Sequence, residues 1–124
     1  HLDFRTRRMN MVNIDDGLAP IRNRFLEVMR QNQIDIKRDV EIALDAPEET
    51  HDALGRIEAV LHKIAGTAGT LGYTDLGISA REAEHAISGV LTTRAEPPQA
   101  VFIQIIDFLE ASLEVTLEDG SATT

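Results

Sequence analysis

Between residues 18 and 117 the apolar side chains return every three or four positions, in four runs separated by short breaks. That spacing is the period of an α-helix, and no segment shows the two-residue alternation of a half-buried strand. The first run is Leu18, Ile21, Phe25, Met29, Ile36, Val40 and Ala43. Asp15 and Asp16 precede it and Pro20 falls in its first turn, as helix starts prefer. Continued to about Leu44, it predicts a helix roughly 40 Å long. Asp45 and Glu48 then have capping-box spacing around Pro47. The second helix buries Leu54, Ile57, Leu61, Ile64, Ala68 and Leu71, and Gly72 closes it as a left-handed cap. A third helix starts at an N-cap, Thr74, with Leu76, Ala80, Ala83, Ile87 and Val90 or Leu91 inward.

After a turn at 92–96, Pro97 and Pro98 open a fourth helix. One of its sides carries Phe102, Ile105, Ile106, Leu109, Leu113 and Leu117. A second stripe, Val101, Phe108 and Val115, is read as deeper burial, with an added contact surface as its other use. Short connections between long helices favour antiparallel neighbours. The expected fold is therefore all-α, an antiparallel up-and-down four-helix bundle over residues 15–119, with a short extra N-terminal helix as an option. Residues 1–14 read as an extension whose opening stretch, 1–8, is a cloning remnant, with Met9 and Met11 as natural starts. Residues 120–124 read as a flexible end.

Composition narrows function by exclusion. A formal net charge of −9 argues against nucleic acid, whose phosphates need clustered Lys and Arg. There is no cysteine, so disulfides, thiolate catalysis and cysteine-type zinc sites are out. No apolar run approaches the ~20 residues of a membrane span, and membrane insertion is not expected.

The second helix carries Gly66 and Gly69 four and seven residues after His62. Each helical glycine costs about 1 kcal/mol relative to alanine. With Leu61 on the buried seam and about 100° of rotation per residue, His62 lies at the flank of the core. Gly55, Glu58, Ala59, Gly66 and Gly69 share that flank, with Ala65 between it and the core. The imidazole should stand exposed above a platform without long side chains.

The string His62-Lys63-Ile64-Ala65-Gly66-Thr67-Ala68-Gly69-Thr70-Leu71-Gly72 closely resembles the signature of histidine phosphotransfer (HPt) domains, including the N-terminal phosphotransfer domain of chemotaxis histidine kinases. The resemblance continues through Tyr73-Thr74-Asp75-Leu76-Gly77 to Ala80-Arg81-Glu82-Ala83-Glu84. It implies that His62 carries a phosphoryl group on Nε2 and that Glu84 orients the ring. Gly55, Glu58, Ala59, Lys63, Ala65, Gly66, Thr67 and Gly69 then form the docking surface. The implied partners are a response-regulator receiver domain and a histidine kinase catalytic domain, in cis or in trans, in the cytoplasm. No cofactor is expected in this chain, Mg²⁺ being expected on the receiver, and the isolated domain is expected to be a monomer. One position departs from the family. Its usual lysine three residues after the histidine is Ala65 here, leaving Lys63 and Arg81 as cations for the phosphate.

Other uses of the same residues are weaker. A P-loop needs a preceding strand and a Gly-Lys-Ser/Thr ending. A di-iron bundle needs paired Glu-x-x-His motifs; Glu48/His51 and Glu82/His85 have the spacing but lie off the buried seams. A helical adaptor or dimerisation module remains the alternative to a phosphocarrier.

Overall fold

The computed structural model describes the backbone of residues 2–122 and the side chains of residues 17–119. Four helices, α1 (Leu2–Asp45), α2 (Thr50–Ala68), α3 (Thr74–Thr93) and α4 (Gln99–Ala122), form the bundle, with a 3₁₀ turn, Pro47–Glu49, between the first two. Each helix touches its two neighbours around a ring, α1 to α2, α2 to α3, α3 to α4 and α4 back to α1. The expected four-helix bundle is what forms.

The helix boundaries differ from expectation in three places. α1 does not start at Asp15 and Asp16; it is one 44-residue helix that runs through them and through Pro20. Once nucleated, a helix gains a hydrogen bond with each added residue, and this outweighs local cap signals. The optional separate N-terminal helix is thus part of α1. Asp45 makes no capping box. It ends α1, and the Thr50 hydroxyl donates to the Ala43 carbonyl at 2.8 Å, satisfying one of the acceptors left open at that helix end. Thr74 is the first residue of α3 rather than its cap; Tyr73 occupies the cap, and its carbonyl accepts from Gly77 N–H at 3.0 Å.

The Gly72 expectation holds in detail. Its φ is +93°. Tyr73 N–H donates to Ala68 O at 2.8 Å and Gly72 N–H to Gly69 O at 3.2 Å. These are the two bonds of a Schellman motif with Gly72 in the left-handed position. The chain reverses there, and Tyr73 stacks on Phe25 with ring centroids 5.4 Å apart.

The core joins Phe25, Leu26, Met29 and Ile36 of α1 to the predicted seams of α2 and α3, and to Val101, Ile105, Phe108 and Leu109 of α4. On α4 the stripe read as deeper burial does face inward, with Val101 and Phe108 buried and Val115 half-buried, and it shares the core with Ile105 and Leu109 of the other side. Ile106 and Leu117, assigned to the inner side, are exposed, as is Ile21 on α1. The α4 rotation is set by Ser112 and Thr116, which are buried and accept from the Gln33 side-chain amide at 3.1 and 3.2 Å. A buried amide needs partners, so these polar residues claim inward positions that an apolar count assigns to their neighbours. Asp39, also buried, is held by Arg56 Nε and Nη2, each at 3.0 Å.

Candidate functional site

His62 stands on α2 with 77% of its side chain exposed. Its Nδ1 lies 2.6 Å from Oε2 of Glu84 on α3, whose side chain is 22% exposed. A carboxylate can only accept, so Nδ1 carries the hydrogen. In the neutral ring Nε2 then holds a free lone pair directed at solvent.

Small residues make this bond reachable. Ala65, Ala68, Gly77, Ala80 and Ala83 are buried between α2 and α3. A Cβ placed on Gly77 would lie 3.5 Å from Gly69 N, 3.6 Å from Ala68 Cβ and 3.8 Å from Ala65 O. The two backbones therefore approach closely just below the histidine, and Glu84 needs no long reach. The missing side chains of Gly66 and Gly69 play no such part: a Cβ on either would meet nothing within 4 Å, so both positions face open space. Gly77, where a Cβ would already be in van der Waals contact with α2, was not singled out from sequence.

The other site residues divide. Ala59, Lys63, Gly66, Thr67 and Gly69 are exposed, and Gly55 and Glu58 half-exposed. Ala65 is corrected: it is 9% exposed and belongs to the core cluster, because the close α2–α3 approach covers it. Lys63 and Thr67 border a different feature, an open apolar groove of about 380 Å³ between α1 and α2 lined also by Ile21, Arg24, Phe25 and Val28. The apolar period of α1 gives no sign of it, because Ile21 continues that period and yet is exposed. Arg81 lies over the outer side of α3 beside Ile78 and His85. Among the described residues neither the Lys63 ammonium nor the Arg81 guanidinium has a hydrogen bond or ion pair.

The two Glu-x-x-His pairs do not converge. His51 bonds the Ala95 carbonyl at 3.0 Å, and Glu82 and His85 border the groove outside α3. Among the described residues no group of three potential metal ligands occurs and no helix is long and apolar enough to cross a membrane.

No curated protein and no solved structure matches the chain. A family model of the Hpt domain matches residues 21–118, which spans the bundle from the α1–α2 groove to the last turns of α4. The chain belongs to the Hpt domain family, the histidine phosphotransfer modules that work with kinases and response regulators in phosphorelays.

Proposed function

We propose that His62 is the phosphoacceptor of this domain and that Nε2 is the atom that carries the phosphoryl group to and from a receiver aspartate. The observation that carries this reading is the 2.6 Å contact between Nδ1 and Glu84. With the hydrogen fixed on Nδ1, no base is needed to free the nucleophile. The Nε2 lone pair attacks phosphorus in line, the P–N bond forms, and the donor's P–O bond breaks with its electrons leaving on the donor oxygen. The ring becomes positively charged, and Glu84 balances that charge through the same hydrogen bond. Onward transfer reverses the sequence, with the receiver carboxylate attacking and neutral imidazole leaving. The metal ion expected on the receiver supplies the remaining charge neutralisation, so this chain mainly contributes position.

Gly66 and Gly69 clear the approach to Nε2. The apolar α1–α2 groove beside them offers a partner area to bury, with Arg24 and Lys63 at its border to face an acidic receiver pocket. In this reading the domain is a stand-alone carrier or a module of a larger histidine kinase. It works in the cytoplasm, in a two-component phosphorelay of which chemotaxis signalling is one form.

Incubation with phosphorylated receivers or with kinase and ATP tests the assignment. Acid-labile label should appear on the wild type and be lost from His62→Gln. Label persisting on His62→Gln sinks it, and a domain never labelled by any donor favours the adaptor reading.

A further inference from the structure

The face formed by α1 and α4 lies across the bundle from the α2–α3 site, and five of the eight large apolar side chains exposed among the described residues are on it. They are Ile34 and Leu44 of α1 and Ile103, Ile106 and Leu117 of α4. Rotation of about 100° per residue places them in two outward rows. On α1 the row reads Arg30, Ile34, Lys37, Glu41, Leu44; on α4 it reads Ile103, Ile106, Glu110, Leu113, Leu117. Both step by alternating threes and fours, which is the spacing of a helix-pairing seam.

The two rows differ in charge. α1 contributes Arg30 and Lys37, with Glu41 as the exception. From 99 to 119 α4 contains Asp107, Glu110, Glu114, Glu118 and Asp119 and no Lys or Arg. Among the described residues Arg30, Lys37, Glu110 and Glu114 have no ion pair or hydrogen-bonded side-chain partner.

We infer that this face is the interface of a homodimer, in which each α1 packs on the partner's α4. The Gln33 amide reaches both Ser112 and Thr116, so residue 33 is level with the midpoint of those two positions. α1 and α4 run antiparallel, which puts Lys37 level with Glu110, Ile34 with Leu113 and Leu44 with Ile103. A two-fold axis parallel to the helices keeps those levels and lays α1 of one copy over α4 of the other. The interface is then isologous. Ile34 then meets Leu113 and Leu44 meets Ile103, Lys37 faces Glu110 twice, and the stems of Arg30 and Glu41 lie level with Leu117 and Ile106. Pairing α4 with α4 instead would oppose like charges, and so the charge pattern selects the α1-on-α4 arrangement. The apolar side chains supply the affinity and the ion pairs set register, since exposed pairs add little by themselves. This departs from the monomer implied by family resemblance, and it does not depend on the role of His62.

Sedimentation of the whole chain over a rising concentration series tests the inference. The mass should climb from 13.7 kDa to twice that value. Ile106→Asp should return it to the monomer, Lys37→Glu should weaken the dimer at least several-fold, and Lys37→Glu combined with Glu110→Lys should restore it. Helical circular dichroism should be unchanged in all three, and His62→Gln should dimerise like the wild type. A single 13.7 kDa species at every concentration overturns the inference, even if a foreign helix is later found on this face. A dimer indifferent to these substitutions overturns it equally.

Discussion

The α2–α3 and α1–α4 seams solve the same packing problem differently. Between α2 and α3 small residues, Ala65, Ala68 and Gly77, meet near the histidine, so the backbones come close there and Glu84 meets His62 at 2.6 Å. Between α1 and α4 the side chains are larger, and the buried Gln33 amide reaches across to two hydroxyls. The first seam sets the distance between the His62 and Glu84 side chains. The second sets the rotation of a helix. A seam of small residues thus acts as a spacer for chemistry, whereas a polar bridge acts as a register pin.

Enlarging the first seam should give the largest effect. Ala83→Leu overpacks a fully buried position and should cost about 1–3 kcal/mol in denaturant unfolding, while slowing phosphotransfer by moving Glu84 outward. Next comes Glu84→Gln, which keeps a hydrogen-bond acceptor but removes the charge. Charge assistance roughly doubles a hydrogen bond, so transfer should slow about tenfold, equivalent to ~1.4 kcal/mol, with unfolding midpoints barely moved. On the other seam, Gln33→Leu should cost about 1 kcal/mol and leave single-turnover transfer rates at the wild-type value. If Gln33→Leu slows transfer as much as Glu84→Gln does, the division between the seams fails.

The smallest effect is a pH dependence where the α2–α3 connection meets the end of α4. The Tyr73 hydroxyl donates to Asp119 at 2.6 Å. Burial, then that bond and the Asp119 charge, push its pKa up to about 12. The folded state therefore holds the phenolic proton more tightly than the unfolded chain, whose tyrosine titrates near 10. Its contribution is complete below about pH 10 and fades as pH rises towards 12. Tyr73 is the only tyrosine, so phenolate absorbance reads it directly, and Tyr73→Phe should flatten the decline of stability over that range.

Where local spacing decides the outcome, the sequence was legible. The α2 and α3 seams, the Gly72 cap and the exposed His62 with Glu84 beside it all follow from rotation along a helix and from the motif. Features decided by contact between distant segments were not. Gly77 looks like any other helical glycine until α2 is laid against it. Ser112 and Thr116 look like surface residues until Gln33 is buried opposite them. Ile21 fits the apolar period of α1, yet α2 leaves it uncovered. Ala65 fell on the wrong side for the same reason, since its cover comes from α3.

The exposure of His62 has a consequence for how long a message can last. Among the described residues none forms a hydrogen bond with Nε2, the His62 side chain is 77% exposed, and the Glu84 carboxylate is engaged at the other ring nitrogen. A phosphorylated ring would sit in open water with no neighbouring base aimed to activate a water molecule against it. Persistence would then rest on the slowness of spontaneous P–N hydrolysis, not on shelter. An unshielded group of this kind can be handed over from either side of the exchange without a lid having to open. On the proposed reading, the domain would hold the group only in passing and leave its enclosure to the partners.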